Sequence, residues 1–433
     1  MAIAQLTDSS LPPNLNPRVQ SLRPSATLAM NERCAQLVRE GRQVYRLGFG
    51  QSPFPIPPSV VAALQANAQQ RDYLSTRGLR ELRAAVAEFH QRRYGLATTA
   101  EDVLIGPGSK ELIFLAQLVY QGELLVPAPS WVSYAPQAQL VGQRVRWLQT
   151  ERKDGWRLRP ETLEAACAEA ASQPRVLVLN FPNNPTGLTL GDDELAALAE
   201  VARKHKLLVI SDEIYGELQH AGEHVSMARH YPEGTLVTGG LSKWCGAGGW
   251  RLGTCCFPTG LRWLQEAMAV VAGETFSAVA APIQYAALTA YSESRELERY
   301  LCQARRILRA LGTLVSQRLR AASVAVDLPQ GAFYLFPDFT PHAASLHARG
   351  IHTSVELCER LLTETGVALL PGSDFGRPAA ELTCRLAYVD FDGAACLTAA
   401  ERVPENEELN EQWLSENCSN VSAAVEALVG WLR

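Results

Sequence analysis

Lysine is the scarce residue of this chain. Of 40 lysines and arginines only five are lysine: Lys110, Lys153, Lys204, Lys206 and Lys243. Arginine keeps its proton and cannot form an imine, whereas a desolvated lysine can lose its proton and attack an aldehyde. Lys243 stands in a glycine-rich apolar run, GGLSKWCGAGGWRLG, and calls for a chemical reason. Lys153, Lys204 and Lys206 lie in charged surroundings and suit the surface.

Other absences narrow the field. No uninterrupted apolar run approaches the roughly 18 residues of a membrane-crossing helix. A net charge of −5 leaves no basic footprint for nucleic acid or a membrane surface. The opening stretch, MAIAQLTDSSLPPNLNPR, has no basic segment leading into an apolar one. It reads as a polar arm over residues 1–20 of a cytoplasmic protein, with no secretory signal. The ten cysteines include no C-x-x-C pair. They are expected to be small packing residues in a reducing compartment, and no metal site is expected.

What is present is globular. Apolar residues make up 47% and charged residues 20% of 433 positions, enough for two or three domains. Short β-like runs recur: VLIG (103–106), LLVP (124–127), VLVLN (176–180), LLVIS (207–211), TLVTG (235–239) and GTCCF (253–257). Between the third and fourth, DDELAALAEVARKHK puts Leu195, Leu198, Ala199 and Ala202 on one helical face, with acids in its first turn and bases in its last. Such β-α-β units in series predict an α/β fold with a largely parallel sheet covered by helices on both faces. LRELRAAVAEFHQRRYG predicts a further amphipathic helix, and after about residue 295 a long arginine-studded helix leads to strand-like QGAFYLFPDF and TCRLAYVDF. Residues 399–417 are acidic and polar, and read as a surface insertion.

Ligands of open α/β sheets gather at the carboxyl ends of the strands. There this sequence has Gly108-Ser109-Lys110 opening a helix, Trp131, Asn184 in NNPTG, Asp212 and Tyr215 in SDEIY, then Ser242-Lys243 and Arg251. A glycine turn before a helix offers free N–H groups to a phosphate, and a buried acid needs a cation or donors. Pyridoxal phosphate wants this set: an anion cradle, a carboxylate for its ring nitrogen, donors for its ring oxygen and a lysine for its aldehyde. Any one motif alone is an ordinary turn.

Taken in order, NNPTG, SDEIY, SK and GWRLG resemble the fold-type I pyridoxal-phosphate enzymes, specifically the aspartate aminotransferase superfamily. PSATLAM, APSWVSY and GAFY are similar to the bacterial-type branch with aspartate and prephenate aminotransferases. The resemblance implies a mostly parallel seven-stranded sheet between helices in a large domain, residues 61–295. A smaller α+β domain would be built from both chain ends, 1–60 and 296–433. It implies pyridoxal 5'-phosphate as cofactor, an L-amino acid and a 2-oxo acid as substrates, and a homodimer with shared active sites.

By the same resemblance Lys243 is the Schiff-base lysine and the acid/base, Asp212 the partner of the ring nitrogen, and Tyr215 and Asn184 the donors to the ring oxygen. Gly108, Ser109, Ser242 and Arg251 form the phosphate cradle beside Lys110, and Trp131 stacks on the ring. Tyr73 reaches the neighbouring subunit's phosphate. Arg385 clamps the substrate α-carboxylate near Gly50, while Lys110 and Thr27 read a distal carboxylate, favouring an aspartate-like donor. Three departures stand out. Gly240 replaces a common serine, Ser52-Pro53-Phe54 follow Gly50 where an acid is usual, and Trp244 is expected to narrow the pocket. The last two leave room for a lyase or cyclase of the same fold type. A non-catalytic regulatory module is disfavoured, since too few residues precede the enzyme-like start for a DNA-binding head.

Overall fold

The structure is a computed structural model that describes residues 14–20, 22, 24, 26–169 and 173–433. Of the polar arm, only its end falls within them, as a short helix Pro17–Gln20.

Seven strands form the main sheet: β1 (Val103–Gly106), β2 (Glu123–Ala128), β3 (Val145–Gln149), β4 (Arg175–Asn180), β5 (Leu208–Asp212), β6 (Thr235–Gly240) and β7 (Gly253–Cys256), in spatial order β1-β7-β6-β5-β4-β2-β3. From β6 across to β3 all neighbours are parallel, while β7 runs antiparallel to both β1 and β6. Alternation along each strand feeds two faces. Val176 and Val178 of β4 point into one apolar layer with the helices Ser109–Val119 and Arg262–Thr275. Leu177 and Leu179 point into the opposite layer with the helix Asp192–Lys204. That helix buries Leu195, Leu198, Ala199 and Ala202, the face its periodicity marks. Its exposed start is closed by Glu194, whose carboxylate accepts the Gly191 N–H at 2.8 Å.

A second sheet is smaller and antiparallel: β8 (Tyr334–Leu335), β9 (Leu370–Pro371) and β10 (Cys384–Ala387), in order β8-β10-β9. The 27-residue helix Arg295–Ala321 links the two sheets, burying Leu297, Leu301, Leu308, Leu311 and Leu319. The C-terminal helix Ser419–Leu432 packs on it, and Cys34 and Leu37 of the helix Ala26–Arg39 pack on Leu362 and Ala368. QGAFYLFPDF contributes only two strand residues, because Gly331 and Pro337 bound the run on either side.

The acidic stretch 399–417 has its charges at the surface and its backbone anchored. Leu409 and Leu414 are buried, and residues Glu411–Asn417 are helical. Arg306 of the long helix donates to Val403 O at 2.9 Å, to Pro404 O at 2.6 Å and to Glu407 O. Among the described residues no helix is long and apolar enough to cross a membrane.

Candidate active site

The carboxyl ends of β1, β4, β5 and β6 open on one cavity of about 470 Å³. Ser109, Lys110, Trp131, Asn184, Asp212, Tyr215, Ser242, Lys243 and Arg251 line it, together with Tyr134, Asn180 and Ile214.

Asp212 ends β5, and only 3% of it is exposed. Tyr134 Oη donates to its Oδ2 at 2.6 Å, and Thr238 Oγ1 to its Oδ1 at 3.2 Å. Burial dominates these contacts and pushes the carboxyl up to about 6. Asn180 fixes the strand ends, donating to Asp212 O at 2.8 Å and accepting from Asn184 N at 2.8 Å.

Lys243 is partly buried at the cavity wall and donates to Gly50 O. Burial first, then the positive fields of Arg385, Arg251 and Lys110, bring its ammonium down to about 8, with Asp212 opposing.

Gly108 adopts φ +95° immediately before the helix Ser109–Val119, whose first residues, Ser109 and Lys110, line the cavity. A Cβ there would strike the Arg251 guanidinium. Arg251 donates to Gly248 O at 2.8 Å and to Pro107 O at 3.3 Å, across the mouth of the turn. Lys110 Nζ lies 5.1 Å over the Trp131 ring. Burial, then Arg251, lowers its proton affinity.

Beyond Lys243, Arg385 is 2% exposed. Its hydrogen bonds go to two neutral oxygens, Asn184 Oδ1 at 3.0 Å and Gly48 O at 2.7 Å, and its Nε has no hydrogen-bond partner. The guanidinium lies 4.9 Å over the Tyr334 ring and 5.1 Å over that of Phe375. Tyr215 and Tyr334 share a 2.6 Å hydroxyl contact, and a Cβ on Gly50 would strike the Tyr334 hydroxyl.

Residues 42–402 match the family described as aminotransferase class I and II. The chain is 35% identical over 366 residues to an aspartate/prephenate aminotransferase of Thermus thermophilus, covering 83% of this chain and 91% of that protein. The chain belongs to the class I and II aminotransferases. An aspartate aminotransferase of Geobacillus stearothermophilus is 34% identical over 396 residues, covering 89% of this chain and 97% of that one. The solved structure of the Thermus thermophilus aspartate aminotransferase with maleate superposes with a TM-score of 0.82 at 32% identity, covering 96% of this chain and 99% of that one.

In this aminotransferase Trp244 does not narrow the pocket. It points into the layer beneath, 4% exposed, stacked on Phe89 at 6.2 Å and meeting Tyr291 edge-on. Thr27 stands in the first turn of the helix Ala26–Arg39 and does not line the cavity. Tyr73 is 96% exposed, away from the cavity. Gly240 takes φ +149°, and a Cβ there would meet Leu252 O at 2.6 Å, so no side chain fits without backbone movement. Sequence reasoning missed Tyr134, Asn180, Thr238 and Tyr334. Tyr134 closes APSWVSY and Tyr334 closes GAFY, so the motifs were in view, but their polar tips serve neighbouring site residues.

Proposed function

We propose that this aminotransferase holds pyridoxal phosphate at Lys243 and exchanges amino groups between an aspartate-like L-amino acid and a 2-oxo acid. Asp212 carries the reading. It is a buried carboxylate that, among the described residues, forms no ion pair, at the floor of a cavity walled by Lys243. A cation brought against it, such as a protonated ring nitrogen, would offset the cost of burying its charge. The donor set fits the rest of the group. The turn at Gly108 and Ser109, with Ser242 and Arg251, suits a phosphate, the Trp131 face suits the ring, and Asn184 and Tyr215 suit the ring oxygen.

Bound there, the group supplies an aldehyde that carries the amino nitrogen and a protonated ring that accepts negative charge from the substrate. The chain supplies the rest. Asp212 keeps the ring nitrogen protonated. Lys243, its proton affinity lowered to about 8, reaches the neutral amine more readily than an ordinary lysine and would hold the aldehyde and carry a proton to and from the substrate Cα. Arg385 exchanges its two neutral oxygens for the substrate α-carboxylate, a charge-assisted bidentate contact that fixes which Cα bond faces Lys243. Lys110, at the cavity wall over Trp131, meets the distal carboxylate. Tyr73 reaches a second copy's phosphate, making the working unit a homodimer. Residues 61–295 would form the cofactor domain, and both chain ends the smaller one.

The test is an absorption titration of the purified, cofactor-loaded protein. Aspartate alone should convert the pyridoxal-form band into the pyridoxamine-form band, and 2-oxoglutarate should reverse it. A band unmoved by aspartate but moved by neutral amino acids would remove Lys110 from substrate recognition. No band after incubation with excess pyridoxal phosphate would sink the Lys243 assignment.

A further inference from the structure

Arg385 belongs to β10, in the small sheet, while Asp212, Lys243 and Trp131 are carried by the main sheet. Something must hold the two in register, because an arginine fork grips a carboxylate bidentately only when its position is fixed.

The corner that follows β9 makes the connection. In the ladder Leu370 of β9 pairs with Arg385 itself. The chain then turns through Gly372–Phe375 and Gly376 to Arg377. Phe375 O accepts the N–H of Ser130, the residue before Trp131, at 3.0 Å, and the Phe375 ring lies under the Arg385 guanidinium. Gly376 lies so close to Trp147 of β3 that a Cβ would enter the indole.

Arg377 fastens this corner. Its Nη1 donates to Gln149 Oε1 at 2.9 Å, Thr150 O at 2.9 Å and Ala128 O at 3.3 Å, at the ends of β2 and β3. Its Nε and Nη2 hold both oxygens of Glu381 at 2.8 Å each, and the guanidinium lies 4.9 Å over the Trp156 ring. Only 8% of the side chain is exposed. A planar fork gripping a carboxylate on one edge and strand-end oxygens on the other is rigid in a way a lysine is not.

We propose that Arg377, which does not reach the cavity, is a positioning residue that fixes Arg385 relative to Trp131 and so sets affinity for the substrate carboxylate. The proposal rests on the reading of Arg385 as the carboxylate site. It predicts a selective defect. In the loaded enzyme, Arg377→Met should weaken binding of succinate, an unreactive dicarboxylate, by about ten- to a hundredfold in calorimetry, the scale of a charge-assisted hydrogen bond lost. KM for the amino acid and the oxo acid should rise alike, with kcat and the cofactor absorption little changed. Arg377→Lys, keeping charge without the fork, should recover part of the loss.

A fall in Tm with unaltered succinate affinity and KM would overturn the proposal, leaving Arg377 a purely structural tie. Parallel loss of kcat and cofactor absorption would overturn it too. Arg385→Leu separates the two readings. If it weakens succinate while Arg377→Met does not, the strap alone fails. If it leaves succinate binding intact, the carboxylate reading fails and takes the strap with it.

Discussion

Lys243 holds its proton at about 8 because burial and three neighbouring cations outweigh the attraction of Asp212. Attack on an aldehyde needs the neutral amine, so capture of pyridoxal phosphate by the cofactor-free protein should accelerate as pH rises through about 8 and level off above it. Stopped-flow absorbance at a series of pH values measures this, and a midpoint near the ordinary lysine value would contradict the burial argument. Lys243, Asp212, Asn184 and Arg251 were legible in the sequence because they end apolar strands or follow glycine turns, where a polar group is conspicuous. Tyr134 and Tyr334 were not, since an aromatic residue beside an apolar run reads as core. Their hydroxyls matter only through Asp212 and Tyr215, which come near them in space alone. Trp244 misled for a related reason. Adjacency to Lys243 in the chain says nothing of the side its ring faces, and that ring joins Phe89 and Tyr291 beneath the site.

Among the elements, buried parallel strands and amphipathic helices declared themselves. VLIG, VLVLN and TLVTG are continuous apolar runs since both faces of the sheet are covered. Edge strand β3, VRWLQ, escaped notice because only Leu148 is buried and the charged Arg146 interrupts the run. The segment 399–417 was read by composition as surface, and its charges are on the surface. Composition could not show that Arg306, ninety-odd positions earlier, collects its carbonyls. Replacing Arg306 with Met should cost about 1–3 kcal/mol, the usual penalty for stranding buried acceptors. Limited proteolysis should then cut within 401–410 faster than in the native protein. Transamination should persist at temperatures where the variant stays folded.

At the scale of the whole molecule, Tyr73 presents its ring entirely to solvent in the single chain, which suits a residue whose work lies in a second copy. If so, Lys243→Ala and Tyr73→Phe chains, each impaired alone, should regain activity when mixed and reassembled, because one site of each hybrid carries neither change. Activity assays across mixing ratios, with sedimentation to verify pairing, check this; no recovery in verified hybrids would remove Tyr73 from the site. Gly240 has a different reach. Its φ of +149° and the 2.6 Å approach of Leu252 O leave no room for the hydroxyl that the resemblance leads one to expect there. Neither can a single substitution restore it, since the strand end at Leu252 and Gly253 would have to move first. That glycine therefore acts as a ratchet: with the neighbouring backbone this close, a side chain cannot be put back one residue at a time.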